Sequence, residues 1–280
     1  VKMIRLKMGP YKKIFSLTNS FHGRTYAAMT LTSREKYKKG FEPLLSNIGH
    51  IEFNSIEDLN EKVNNDTAAI IFEFIQGEGG INEVSGEFIS RVVELRDKYG
   101  FIFVADAIQD GVGRSGKAFV HEYYNVRPDI LVTAKAIGGG LPLGAFLTTS
   151  ELSDVFPVGK HGTTFGGNPV SCAAGLVVLK EVFENGLIEN VAETGNYLKG
   201  NLLKLKEEFP ELIKEVRGKG FILGIELTFE ATEIVKRMRT KKILTNATNQ
   251  NVLRLLPPYI ISRNDADLFL NALQDSLRNK

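Results

Sequence analysis

Three near-continuous apolar runs constrain the fold most: Ala68-Ala-Ile-Ile-Phe-Glu-Phe-Ile75, Phe101-Ile-Phe-Val-Ala-Asp106 and Asp129-Ile-Leu-Val-Thr133. A strand with one wet face alternates apolar and polar residues. These runs do not alternate, so both of their faces must be covered. Between the first two lies a helix signature, with Ser85 as cap, Phe88, Val92, Val93 and Leu95 on one face, and Gly100 as terminator. Strands alternating with helices in this way specify an α/β fold, a mostly parallel sheet sandwiched by helices. Lys13–Leu17 and Leu143–Thr148 read as further strands, and Ser55 with Asp58 marks a capped helix running to Val63. A short helix is expected around Ala118 to Tyr124.

From Asn168 the pattern changes. Two long helical stretches, through about Lys180 and from Leu187 to Phe209, flank Asn185-Gly186. Phe221 to Leu227 and Val252 to Leu256 then read as strands, with a helix around Ile234 to Lys242 and a terminal helix capped by Ser262. The organisation expected is a large domain over 1–180 and a smaller C-terminal α+β domain over 181–280. Val1 to Met8 reads as a helix closed by Gly9, and the absence of a leading methionine suggests a missing upstream piece.

Composition excludes several partner classes. Thirty-five Lys and Arg nearly balance 33 Asp and Glu, which gives no reason to expect nucleic acid or an acidic membrane as partner. No apolar run reaches spanning length. Cys172 is the only cysteine, so a disulfide framework is out and a reducing cytoplasm is expected. His22, His50, His121 and His161 lack metal-ligand spacing, so no metal is assigned.

The chemistry-bearing residues sit where strands end, and active sites of open α/β sheets lie outside the carboxyl ends of their strands. Lys135 follows one strand and precedes Gly138-Gly-Gly140, glycines that let backbone approach something bulky. A desolvated lysine is an amine nucleophile able to form a Schiff base. Asp106 closes another apolar strand, where a carboxylate needs a cationic or hydrogen-bonding partner. A lysine for an aldehyde and a carboxylate for a pyridinium nitrogen are what a pyridoxal phosphate site requires. Gly111-Val-Gly113-Arg-Ser-Gly116 offers a competing reading, a nicotinamide dinucleotide site in an oxidoreductase. Its first glycine, however, does not follow the strand directly. His161-Gly-Thr163-Thr164, just before the helix near Pro169, is a candidate phosphate contact. Arg254 inside the apolar Val252-Leu-Arg-Leu-Leu256 suits bidentate capture of a carboxylate, with Arg24 a second candidate. Phe21 and His22 could stack on a planar ring.

Taken together, Asn19-Ser-Phe-His-Gly-Arg-Thr25, Ile75-Gln-Gly-Glu-Gly-Gly80, Ala134-Lys-Ala-Ile-Gly-Gly-Gly140, His161-Gly-Thr-Thr-Phe-Gly-Gly-Asn-Pro169 and Leu253-Arg-Leu-Leu-Pro-Pro258 resemble the class III aminotransferases of the acetylornithine and ornithine type, fold type I pyridoxal-phosphate enzymes. The resemblance runs over essentially the whole chain. It implies pyridoxal 5′-phosphate as cofactor, Lys135 as the Schiff-base lysine and proton carrier, and Asp106 as the pyridinium partner. Gln109 would face the cofactor's phenolic oxygen, and Phe21 and His22 would cover its ring. Thr164 would reach the phosphate of a neighbouring subunit, which makes the expected assembly a homodimer with a shared site. Arg254 would hold the substrate α-carboxylate, Arg24 its other end, and Glu78 would gate Arg254. The implied reaction moves an amino group to 2-oxoglutarate from N-acetylornithine or a similar ω-amino donor. Two departures stand out. Ala107 and Asp110 replace a carboxylate and a neutral hydroxyl of the family's pattern, and the family's N-terminal quarter, with its phosphate-binding loop, has no counterpart. They leave as the alternative a truncated or degenerate member with weak cofactor binding.

Overall fold

A computed structural model describes residues 1–280. In chain order the elements begin with helix α1 (Lys2–Met8), strand β1 (Lys13–Leu17), α2 (Tyr26–Leu31), β2 (Ile48–Ile51), α3 (Ile56–Lys62), β3 (Thr67–Phe72), β4 (Ile75–Gln76), β5 (Asn82–Glu83), α4 (Gly86–Tyr99) and β6 (Ile102–Asp106). They continue with β7 (Ile130–Thr133), β8 (Ala145–Thr148), α5 (Pro169–Phe183), α6 (Leu187–Glu208), β9 (Ile213–Lys219), β10 (Ile222–Leu227), α7 (Thr232–Thr240), β11 (Asn246–Thr248), β12 (Val252–Leu255) and α8 (Arg263–Arg278).

The chain divides into two units. One comprises Val1–Phe74, Val84–Gln109 and Val120–Val178, the other Ile75–Glu83, Asp110–Phe119 and Leu179–Lys280. Two short segments therefore group with the C-terminal part, an assignment no single linear boundary expresses.

The first unit is built on a six-stranded sheet in the order β2-β1-β3-β6-β7-β8. Every pairing is parallel except β7 with β8. The exception has a simple cause. The link between β7 and β8 is too short for a parallel crossover, which needs a dozen or more residues, so the chain turns back on itself. One sheet face is covered by Met3 and Ile4 of α1 and by Leu31 and Leu152, packed with Ile14, Ile71, Val104 and Ile130. The opposite face holds an aromatic cluster in which Phe72 lies 5.0 Å from Phe103 and 6.3 Å from Phe88 of α4. Ser85 caps α4 by accepting from Phe88 N, and Gly100 ends it in the left-handed conformation.

The apolar run beginning at Ala68 does not remain one strand to Ile75. β3 ends at Phe72, and Ile75–Gln76 pair instead with Asn82–Glu83 in a separate hairpin. Ile75 N donates to the Asp110 carboxylate rather than to a sheet ladder. The segment around Ala118 to Tyr124 is likewise shorter than a helix, a 3-10 turn over Val120–Tyr124.

The second unit contains an antiparallel sheet in the order β11-β12-β10-β9. Its core joins Leu198, Leu202 and Leu205 of α6, Ile234 and Met238 of α7, and Leu270, Leu273 and Leu277 of α8 to Leu223, Ile225, Leu227, Leu253 and Leu255 of the sheet. A full capping box at Ser262 and Asp265 opens α8.

Candidate active site

Asp106 is the last residue of β6, in register with Val132 of the parallel neighbour β7. It is buried, with 7% of its surface exposed. A carboxylate so placed must be compensated, and it is. Its Oδ2 lies 2.6 Å from His22 Nδ1 in an ion pair, and its Oδ1 accepts from Ile108 N at 3.2 Å. His22 comes from the loop after β1 and is fixed there by its backbone N, which donates to Thr32 Oγ1 at 2.9 Å. Burial disfavours a charged imidazole. The hydrogen bond His22 donates to Asp106, the charge of Asp106 and that of Glu73 outweigh burial, so the His22 pKa is raised above its ordinary 6.5. The second ring nitrogen, Nε2, is buried without a hydrogen-bond partner.

Both side chains line a cavity of about 390 Å³ in this unit. Its other walls are mainly apolar, including Ala27, Ala28, Ile71, Val104, Ile108 and Val132. A buried, oriented carboxylate in an apolar cavity suits a flat heteroaromatic ring that carries a proton on nitrogen. The residues present therefore fit the pyridine end of pyridoxal phosphate.

Lys135 lies three residues beyond Val132, the register partner of Asp106, at the carboxyl end of β7. It opens a 3-10 turn over Lys135–Gly138 and has a positive φ of 50°, uncommon for a residue with a side chain. Its surface is exposed, and it is not among the residues lining the cavity. Gly139 in the triplet that follows has φ 58°, and a Cβ there would come within 2.8 Å of Val178 Cγ2. That glycine serves a tight turn packed on α5, a more local use than making room for a ligand.

Phe21 precedes His22, and its backbone N donates to Glu73 Oε2 at 3.0 Å. Its ring meets Tyr37 edge-on at 5.2 Å, and Arg24 stacks over Tyr37 at 4.7 Å. Gln109 follows the β6 strand end and is half-buried. Thr164 sits on the exposed loop before α5. The structure thus joins His22 with Asp106 and sets Phe21 and Arg24 on a shared aromatic partner. Lys135, Gln109 and Thr164 stand outside the cavity lining.

A second cluster belongs to the antiparallel unit. Arg254 on β12 donates from Nη1 to Glu78 Oε1 at 2.6 Å and to Gly77 O at 3.2 Å, and from Nε to Asn246 Oδ1 at 3.3 Å. Thr248 Oγ1 donates to Glu78 O at 2.8 Å, and both Nε and Nη2 of Arg217 donate to Gly80 O. The hairpin carrying Glu78 is therefore fastened to β9 and β11, and the guanidinium is aimed by a carboxylate.

The glycine motif Gly111–Gly116 does something other than hold a dinucleotide. Gly116 has φ 87°, and a Cβ there would lie 3.0 Å from Ala192 Cα on α6. At Gly113 a Cβ would come 2.6 Å from Val182 Cγ1. These glycines admit neighbouring helices rather than phosphate, and no helix opens from the turn, which removes the nicotinamide reading. Asp110, expected as an added anion beside the cofactor, accepts from Ile75 N at 3.1 Å and is 1% exposed. Ala107 is also buried, its N donating to Val132 O. No group of His, Cys, Asp or Glu is placed to hold a metal ion, and no helix is long and apolar enough to cross a membrane.

Sequence reasoning gave no role to Glu73, Ile108 or Tyr37. Glu73 carried a usable signal, a carboxylate inside an otherwise apolar strand run. Ile108 and Tyr37 carried none.

The sequence matches the class-III aminotransferase family over residues 1–277. It is 44% identical to an acetylornithine aminotransferase of Caldanaerobacter subterraneus subsp. tengcongensis, over 99% of this chain and 70% of that one. It is 40% identical to ornithine aminotransferase 1 of Staphylococcus saprophyticus, over 95% of this chain and 67% of the relative. Among solved structures, an ornithine aminotransferase from Toxoplasma gondii, with PLP at partial occupancy in its active site, superposes with a TM-score of 0.93 at 26% identity, covering 99% of this chain and 68% of its own. The chain thus spans roughly two thirds of the length of these relatives.

Proposed function

The chain belongs to the class-III aminotransferases, enzymes of pyridoxal 5′-phosphate, and on that premise we propose that it moves an amino group from N-acetylornithine, or a closely similar ω-amino donor, to 2-oxoglutarate. The observation that carries the proposal is the buried Asp106–His22 pair opening into an apolar cavity. When bound, pyridoxal phosphate supplies an aldehyde for the amino group and a ring that takes up electrons as a proton leaves the substrate carbon. Asp106 holds the proton on the ring nitrogen, and His22 fixes that carboxylate through Nδ1. Lys135 Nζ would hold the aldehyde until the substrate amine displaces it, and the freed amine would carry the proton from the substrate carbon to the cofactor carbon. Gln109 donates to the phenolic oxygen, and Phe21 bounds the ring. Arg254 binds the α-carboxylate of the substrate, Glu78 occupies that guanidinium when the carboxylate is not there, and Arg24 receives the distal group.

The assembly proposed is a homodimer in which Thr164 of one copy reaches the cofactor phosphate of the other. Its support is a run of exposed apolar side chains around Thr164: Phe165 is 82% exposed, Val170 and Leu176 each 68%, and Val177 60%. Such a patch on a globular protein marks an interaction surface. Cys172 is free, in keeping with the cytoplasm as its compartment.

The test is to incubate the protein with pyridoxal phosphate, reduce with borohydride and locate the fixed label by peptide mass. Label on Lys135, with amino transfer from N-acetylornithine exceeding that from 4-aminobutyrate, is the expected result. Label elsewhere sinks the lysine assignment. No label at all leaves the chain as a family member that has lost its cofactor.

A further inference from the structure

Segment 110–119 groups with the antiparallel unit, and two of its charged side chains act on backbone. At one end, Asp110 Oδ2 accepts from Ile75 N, the first residue of the hairpin from which Glu78 projects. At the other end, Arg114 Nη1 donates to Pro257 O at 2.5 Å and to Phe221 O at 3.5 Å, while its guanidinium lies 4.3 Å from the Tyr259 ring centroid. Pro257 follows closely on β12, the strand that carries Arg254. The same short segment therefore grips the two stretches of chain that bear the two halves of the Glu78–Arg254 pair.

We infer that segment 110–119 is a brace that sets the Glu78–Arg254 pair, with Asp110 and Arg114 as the positioning residues at its two ends. The brace is stiff. Gly116 N donates to Gly113 O at 2.9 Å and Gly113 N to Ala118 O at 3.2 Å, which closes the turn on itself. Tyr259 Oη donates to Val112 O at 2.8 Å, and Phe221 N to Arg114 O at 2.9 Å. A Cβ on Gly220 would lie 2.4 Å from Ser115 C, so backbone rests on backbone. In a segment packed this closely a shift at either end is carried through rather than absorbed. The guanidinium of Arg114 is also suited to what it does. Nη1 donates to both carbonyl oxygens while the guanidinium plane stacks on Tyr259, and it is the stacking that a compact ammonium cannot reproduce.

The inference rests on the proposed role of Arg254 only for its effect on substrate, so the experiment reads the pair and the ligand separately. In the full chain with labelled arginine, the Nη1–H resonance of Arg254, assigned through Arg254→Lys, reports its pairing with Glu78. Asp110→Ala and Arg114→Met should each move that resonance toward its position in Glu78→Gln. They should also weaken 2-oxoglutarate binding, measured by calorimetry, by about tenfold, the equivalent of one positioned charge-assisted hydrogen bond. Asp110→Asn keeps an acceptor for Ile75 N and should restore both readings. An Arg254 resonance unmoved in both Asp110→Ala and Arg114→Met overturns the brace. A moved resonance with unchanged 2-oxoglutarate affinity upholds the brace and counts instead against Arg254 as the carboxylate ligand. Should Asp110→Ala fail to fold, Arg114→Lys, which keeps charge but loses the stack on Tyr259, gives the same reading.

Discussion

Asp106→Asn isolates charge from shape at the centre of the candidate site. The substitution preserves volume and leaves an oxygen able to accept from Ile108 N or from His22 Nδ1, which now lie 3.2 and 2.6 Å from the carboxylate. What it removes is the negative charge. Two consequences follow from one cause. A hydrogen bond from a pyridinium N–H to a buried carboxylate is of the charge-assisted kind, worth about 1.5–3 kcal/mol. Losing the charge should therefore weaken pyridoxal phosphate binding by roughly ten- to a hundredfold. His22 loses the two largest interactions that raise its pKa, which leaves only the charge of Glu73 against burial, so the pKa should fall. The sign of the stability effect is fixed by linkage. A His with a raised folded-state pKa stabilises the fold fully below its unfolded pKa, and that contribution is lost as pH rises through the folded value. Denaturant unfolding of the wild type should thus show this loss above pH 6.5, and in Asp106→Asn the trend should vanish or invert. The assays are cofactor titration followed by absorbance and imidazole resonances followed against pH. Unchanged cofactor affinity together with an unchanged His22 titration would refute the reasoning, because the charge would then act on neither partner.

Two further predictions concern stability. His50 has its pKa lowered to about 4, by burial first and then by the charge of Lys38. Ser16 gives its only hydroxyl proton to Leu31 O at 2.6 Å, so His50 Nδ1 must donate to Ser16 Oγ, which leaves Nε2 an acceptor facing Lys38 Nζ at 3.5 Å. Stability from this neutral ring is complete above about pH 6.5 and lost between there and pH 4, a loss of about 1–2 kcal/mol once solvent screening of a half-buried group is allowed for. His50→Gln should flatten that acid limb in denaturant titrations, and an unaltered limb would place its origin elsewhere. Gly116→Ala forces a Cβ into a residue with φ 87° and to 3.0 Å from Ala192 Cα, so unfolding should cost about 2 kcal/mol less, whereas Ala192→Gly in the same background should recover part of the loss.

Legibility in the sequence followed how far each signal reached along the chain. β1, β6, β10 and α8 were readable because apolar periodicity and a capping residue are local signals. β9 was not, since Ile213-Lys-Glu-Val-Arg-Gly-Lys219 keeps only Ile213 and Val216 for the core, and its glycine and charges resemble a loop until β10 pairs with it. β2, with its half-buried Ile48-Gly-His50, was missed for the same reason. The site behaves likewise. Asp106 and Lys135 declared themselves as polar residues ending apolar strands, a property visible in one window. Glu78 and Arg254 meet only because the β4–β5 hairpin is held to the sheet by the Thr248 hydroxyl on Glu78 O and by the Gly77 carbonyl under Arg254, contacts that no periodicity announces. The partnership was accessible through resemblance alone. Gly111–Gly116 is the instructive reverse case, for there a local pattern was clear and its local interpretation failed. A glycine records that a side chain is excluded but not what excludes it, and here Ala192 and Val182, far along the chain, occupy the space that a phosphate would need.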